Sequence, residues 1–260
     1  GEIHPAAVTD GEAGMVVSCR ALRSLNQYRN THAQGQCWEC GISYTNKRLA
    51  KLSHLQAAKV KGSRAWRRLQ RRRNRFQAQQ RRRKRDIEHK ISREVVDWAV
   101  ERKAGTIVIG DVRNIANGKR LNRKSQQKVG NWSHGKQRKY ITYKAAAQGI
   151  EVVLQSEAYT SQTCPQCGHR SKPTGREYWC RRCGFLGHRD MVGASNILSR
   201  TLHGELGQVK PSSTIKYRQP FGRAEKREIE WPFTREREGK RSPLDTGQVA
   251  SAGVVALHTR

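Results

Sequence analysis

Acidic residues are scarce in this sequence. Only 21 Asp and Glu stand against 52 Lys and Arg in 260 residues, a formal net charge of +31. Such an excess repels itself, so a compact chain needs a polyanionic partner to offset it. Long apolar runs are also missing. No stretch approaches the roughly 18 apolar residues of a membrane-spanning helix, and no secretory leader pattern opens the chain. The expectation is a protein with no membrane partner, acting in the cytoplasm or nucleoid. An opening Met is missing too: the chain starts at Gly1 and reads as a fragment or a processed product. Seven cysteines cannot all pair, and six of them fall in C-x-x-C pairs. In a reducing compartment that pattern favours metal over disulfide. Cys19 is left over and reads as a small buried apolar residue.

The apolar runs IHPAAVTD (3–10) and MVVSC (15–19) flank the turn pair Asp10-Gly11, which predicts a hairpin. Residues 29–46 interrupt a basic pattern and read as an insertion. Residues 47–90 are basic with helical character, and Trp66, Leu69 and Phe76 recur at near-helical spacing. A second helix is expected over 91–104, with Ile91, Val95, Val96, Trp98 and Ala99 inward and Gly105 as its cap. Together they form an expected basic helical hairpin, 47–104, packed on a sheet. TIVIGDV (106–112) reads as a buried strand. A basic loop follows at 113–131, then a helix over 133–148 with Ser133 as N-cap, burying Tyr140, Tyr143 and Ala147 and ending at Gly149. IEVVL (150–154) is another strand, and a helix is expected over 191–203, ending before Gly204. Strands alternating with helices predict an α/β fold. Beyond about 207, Pro, Gly and charge dominate, and the reading is loop or disorder, with one short strand in the closing LDTGQVASAGVVALHTR.

Three signals carry chemistry. Cys164-Pro-Gln-Cys167 and Cys180-Arg-Arg-Cys183 are two knuckles separated by a short hairpin. Four thiolates at that spacing reach the corners of a tetrahedron, the geometry zinc favours, and a four-thiolate site is closed to substrate. Gly168 and Gly184 follow the knuckles and permit tight turns. Cys37-Trp-Glu-Cys40 is a single pair with His32 nearby, and a loop with free thiols is the favoured reading there. The second signal is acidic. Asp111 ends a buried strand, Glu157 follows another, and Asp190 sits directly after the cysteine module. Carboxylates from strand ends and a helix start can hold two Mg²⁺ or Mn²⁺ ions, which activate water and stabilise a leaving phosphodiester oxygen. The alternative is a salt bridge with one of the many arginines, or a helix N-cap for Asp190. The third signal is the basic surface of 59–90, including Arg67, Arg68, Arg71, Arg72, Arg75 and Arg82, with Arg120, Arg123 and Lys124 in the later loop. Almost no acids lie at i,i+4 to pair with them, so phosphate contact is the favoured reading over a solvated face.

The run Tyr159-Thr-Ser-Gln-Thr-Cys-Pro-Gln-Cys-Gly168, the second knuckle, and Asp190-Met-Val-Gly-Ala-Ser-Asn196-Ile-Leu resemble the C-terminal half of TnpB/OrfB proteins. These are transposon-encoded relatives of type V CRISPR effectors. Gly1-Glu-Ile-His-Pro, Asp86-Ile-Glu-His-Lys-Ile-Ser92, Ile107-Val-Ile-Gly-Asp-Val-Arg113 and Asn131-Trp-Ser-His-Gly135 are similar to the same group, over about residues 1–205. The resemblance implies an RNase H-like (RuvC) mixed sheet with helices, a basic helical hairpin and an inserted zinc ribbon. It also implies RNA-guided DNA cleavage with divalent metal, and so DNA and guide RNA as partners. Its third metal-binding acid falls on Asp190. Its second is commonly a Glu where this chain has Gly110. Some relatives place that Glu on the neighbouring strand, where Glu157 stands, with Asp111 as second choice. Its first acid would lie upstream of Gly1, leaving the first strand incomplete. The expected layout is a nuclease core at 1–159, a zinc ribbon at 160–187, a last core segment at 188–205 and a basic, disordered tail at 206–260.

Three readings compete on these residues. The first is a metal-dependent endonuclease. The second is a catalytically inactive relative that binds nucleic acid and acts in transposon regulation. The third is a basic zinc-ribbon component of a ribonucleoprotein.

Overall fold

The computed structural model describes residues 4–19, 22, 47–112, 133–173, 175–220, 227–230 and 253–258. Arg120, Arg123, Lys124, His32, Cys37 and Cys40 lie outside the described residues. The chain divides into two compact units, residues 20–88 and residues 1–19 with 89–260.

In the smaller unit, helix α1 (Lys47–Ala57) and the start of helix α2 (Arg64–Glu101) are joined by a turn. Gly62 takes φ +87° there, a conformation that strongly favours glycine. The expected break near residue 90 does not exist: α2 is one helix of 38 residues, about 57 Å long at 1.5 Å per residue. The change in composition at Asp86 alters what the helix faces, not whether it continues. Leu69, Phe76 and Gln80 are buried on one stripe of it. Gln56 bridges the two helices, donating to Gln70 Oε1 (2.6 Å) and accepting from Arg73 Nη1 (2.5 Å). Arg67, Arg68, Arg71, Arg72, Arg75 and Arg82 are all exposed. Between Arg64 and Arg85 the sequence holds twelve Lys and Arg and no acid.

The larger unit is a seven-stranded mixed sheet. Its strands are β1 (Ala6–Thr9), β2 (Gly14–Val17), β3 (Thr106–Asp111), β4 (Glu151–Ser156), β7 (Thr214–Arg218), β8 (Arg227–Glu230) and β9 (Val254–His258), in the order β4-β3-β9-β1-β2-β7-β8. The β1–β2 hairpin is the one expected. Asp10 Oδ1 accepts from the Glu12 and Ala13 N–H groups, and Gly11 takes φ +96°. Arg102 pairs with Asp10 and reaches Glu12 at 3.1 Å. Cys19 is buried just past β2.

The region 206–260 departs from the expected disordered tail, because β7 and β8 lie in it, while β9 is the short strand expected in the closing segment. β7 pairs parallel with β2 and antiparallel with β8. β9 runs through the middle of the sheet, parallel to β3 (Thr106↔Val254) and antiparallel to β1 (Ala7↔His258). Val255, Ala256 and Leu257 are fully buried there. Short strands of four or five residues carry little periodicity of their own, and their stability comes from neighbours distant in sequence.

Helix α3 (His134–Ala146) lies inside the range expected, with a different face inward. Gln137, Ile141 and Ala145 are buried, Ser133 makes no side-chain cap bond, and Tyr143 is half exposed. The tyrosines are drawn instead to His89 of α2. Tyr140 stacks on its ring at 4.0 Å, and the Tyr143 hydroxyl lies 3.2 Å from Nδ1. Lys144 donates to His89 O (2.6 Å) and Ser92 Oγ (2.7 Å), and burial pushes its pKa below the usual lysine range. Helix α4 (Arg189–His203) ends at Gly204 in the left-handed region, as expected. Every residue from Asp190 to Ser199 is buried. Val108, Ala256, Ile197 and Leu198 form one core cluster, which sets α4 on the Val108 face of the sheet. Among the described residues, no helix is long and apolar enough to cross a membrane.

Candidate functional site

The cysteine module folds as the spacing requires. β5 (Glu177–Trp179) and β6 (Leu186–His188) form an antiparallel pair. Gly168 and Gly184 both take positive φ, and their N–H groups donate to Cys164 O and Cys180 O. These turns bring Cys164 Sγ to 3.6 Å from Cys183 Sγ, and Cys167 Sγ to 3.5 Å from Cys180 Sγ. Zn–S bonds of about 2.3 Å put neighbouring sulfurs about 3.8 Å apart, so the four sulfurs fit a zinc ion. Buried Tyr178 and Phe185 close the other side of the knuckles. Burial pushes the Cys164 thiol far up and Cys183 up to about 11. At Cys180 burial also raises the pKa, but N–H groups of Cys183 and Arg182 outweigh it and the net shift is downward. A buried cluster of this kind is stable as thiolates only with a cation among them. The cluster supports structural zinc.

The acids come from separate segments. Successive strand residues face opposite sides, so Gly110 shares the α4 face with Val108, and Asp111 turns to the other. Glu157 is 4% exposed and its carboxyl covers Gly110. A Cβ built at Gly110 would overlap Glu157 Oε1, Cγ and Cδ. The absence of a side chain at 110 is therefore what makes room for the Glu157 carboxyl. Arg200 of α4 secures the turn around it by donating to Ser156 O (2.6 Å) and Ala158 O (3.1 Å).

Asp190 is 6% exposed in the first turn of α4, where the helix dipole favours its charge. It is not the N-cap; His188 holds that position. Its Oδ2 lies 3.4 Å from His4 Nδ1, and its Oδ1 lies 3.8 Å from Arg189 Nε. His4, His188 and Asp190 each offer a ligand atom within 4.8 Å of the others, and Glu157 is not in that group. Burial lowers the His188 pKa to about 4, against the opposing pull of Asp190, so the ring is neutral at pH 7. Sequence reading missed His4 and His188, because neither carries a ligand spacing and their proximity arises only in the fold. Asn196, seen in the sequence as part of a motif, has a structural task. Its amide donates to Thr160 O (2.7 Å) and Thr163 O (2.8 Å) and accepts from Gly207 N (2.9 Å). It ties the start of the ribbon to α4.

A mixed α/β sheet thus carries an inserted four-cysteine ribbon joined directly to an acid-bearing buried helix. A family model described as "Cas12f1-like, TNB domain" matches residues 134–197. A CRISPR-associated endodeoxyribonuclease Cas12f1 of Sulfoacidibacillus thermotolerans is 34% identical over 113 residues, 42% of this chain and 25% of that protein. A putative RNA-guided DNA endonuclease, InsQ, of Escherichia coli is 30% identical over 169 residues, 59% of this chain and 41% of that protein. Among solved structures, a Cas12f1–sgRNA–target DNA complex is similar over 62% of this chain and 44% of that one, with a TM-score of 0.43 and 20% identity. By these matches the chain is similar to TnpB/Cas12f-like RuvC nucleases, and residues 134–197 to their zinc-binding TNB domain. It spans less than half the length of these relatives.

Proposed function

We propose that this chain is the nuclease part of an RNA-guided DNA endonuclease of an insertion sequence, with Glu157 and Asp190 as ligands of the catalytic ions. One observation carries the reading. Glu157 takes the space over Gly110 that a side chain on β3 would otherwise fill, on the sheet face that α4 covers. A carboxyl from the neighbouring strand thus stands where the family's β3 acid would project. Mg²⁺ or Mn²⁺ bound there would supply an activated water and charge stabilisation of the leaving oxygen. The chain's own contribution is positional: Arg200 fixes the Glu157 turn, and Asn196 fixes the ribbon against α4, from which Asp190 projects. The exposed arginines Arg67 to Arg82 of α2 bind the phosphates of the guide RNA or its DNA target, an interaction weakened steeply by salt. In this layout 160–187 is the ribbon, and the core takes in β7, β8 and β9 as well as 1–159 and 188–205.

A catalytically inactive, nucleic-acid-binding relative is the second reading. It is favoured by the placement of Arg189 against Asp190, a fixed cation that competes with a metal ion for the same carboxylate. Cleavage of single-stranded DNA in Mg²⁺ or Mn²⁺ tests the two readings. The endonuclease reading expects Glu157→Gln and Asp190→Ala each to lower the rate by at least about 100-fold, with salt-sensitive binding retained. Wild-type binding without any cleavage selects the inactive relative. Full activity in Glu157→Gln removes Glu157 from the site.

A further inference from the structure

His4, His188 and Asp190 come from the segment before β1, the end of β6 and the first turn of α4, and they meet with ligand atoms within 4.8 Å. We propose that these three side chains bind one divalent ion of the imidazole-accepting class, Zn²⁺ or Co²⁺, separate from the ion of the four cysteines.

The donor set decides the class of ion. Mg²⁺ seeks an octahedral shell of oxygens and keeps much of its water. Two imidazoles and one carboxylate suit later and softer ions. Three protein ligands also leave a position open for an exchangeable group, unlike the closed cysteine site. The spacing is close to what such an ion demands. Bonds of about 2.1 Å in a tetrahedron place two donors about 3.4 Å apart, and His4 Nδ1 lies 3.4 Å from Asp190 Oδ2. The widest pair needs to close by roughly 1 Å, within reach of side-chain rotation. The surroundings are stiff. Asp190 and His188 are buried, and the ring of Tyr217 stands edge-on 6.0 Å from His4 and 6.2 Å from His188.

Two guanidiniums oppose the ion: Arg189, 3.8 Å from Asp190 Oδ1, and Arg176 at His4. Arg176 Nη1 lies 2.7 Å from His4 Nδ1 and 2.9 Å from Nε2. A cation entering the cluster must displace this guanidinium, so Arg176 is a built-in competitor and its removal tightens the site.

The test uses the full chain with one equivalent of zinc in the cysteine site and no nucleic acid present. Co²⁺ is titrated and followed by its visible d–d absorption. The expected result is one further equivalent bound, with nitrogen–oxygen bands and no thiolate charge-transfer band. Affinity falls at least about tenfold in His4→Ala and in Asp190→Asn and rises several-fold in Arg176→Ala, and a hundredfold excess of Mg²⁺, roughly, leaves the bands in place. His4 lies outside the ribbon and the sheet, so His4→Ala answers the question even where a His188 substitution disturbs folding. The proposal is overturned by wild-type protein that takes up no second equivalent, by His4→Ala and Asp190→Asn binding as tightly as wild type, or by Mg²⁺ displacing the Co²⁺. Weaker binding in Arg176→Ala overturns the displacement step. Asp190 serves both proposals, so His4→Ala and Arg176→Ala separate them: neither substitution alters Glu157 or Asp190, and their effect on Co²⁺ uptake is read without cleavage.

Discussion

The ribbon and the carboxylate site differ in how far apart their parts lie along the chain. All four ribbon ligands fall within twenty residues, from Cys164 to Cys183, and two glycines set the turns that gather them. The proposed carboxylate site draws on Glu157, seated over Gly110, and on Asp190, segments 33 or more positions apart in the chain. A site built locally needs its metal to be stable, because its own apolar cluster is small. A site built from distant segments depends on the sheet and helix that place it, and on small groups that hold those elements in register.

Removing zinc presses hardest on that contrast. Stripping the metal should forfeit about 10 kcal/mol or more of the ribbon's stability. Hydrogen exchange should then show residues 160–188 losing protection while β1, β2 and β3 keep theirs. Protection that persists across the ribbon after complete zinc loss would mean that the ribbon folds as the sheet does. Gly110→Ala asks the reverse question. A methyl at 110 overlaps the Glu157 carboxyl and must push it aside by about 1 Å, a displacement that costs roughly 100-fold in rate. Circular dichroism should stay unchanged and zinc content full. Undiminished cleavage by Gly110→Ala would show that the Glu157 position is not the one that matters. The smallest of the three effects is expected at Asn196, where ribbon and helix meet. Asn196→Ala leaves Thr160 O, Thr163 O and Gly207 N without that partner. The expected loss is about 2–4 kcal/mol, read as a fall of several degrees in Tm. Asn196→Asp keeps the acceptor for Gly207 and should fall between the two; an unchanged Tm in both would remove Asn196 as the tie.

The same contrast explains what could be read before the fold was known. The knuckles, the Asp10-Gly11 hairpin, the apolar strand at 106–111 and the Gly204 cap rest on neighbours in sequence, and each stands where the residues put it. The acid-bearing helix start at Asp190 was legible for the same reason. The inward face of α3 was not. Tyr140 and Tyr143 resemble core residues, yet the ring of His89, some fifty positions earlier, draws them to the surface of α2. The expected break near residue 90 is absent because a loss of positive charge does not end a helix; the turn at Gly62 is the real interruption. His4 was invisible as a site residue, since its partners His188 and Asp190 lie more than 180 positions away. Of the strands after 207 only β9 was legible; β7 and β8 are five and four residues long, and the pairing that seats β9, Ala7 with His258, spans 251 positions.

That last pairing has a cost during synthesis. The centre of the sheet is a strand that leaves the ribosome last among the described elements, after β1 and β3 have already emerged. Until Val254–His258 arrives, those two strands present open edges that no other described segment covers. Newly made chains therefore pass through a half-closed state in which edge-to-edge association between molecules competes with completion. Slow final closure follows from the same loop length.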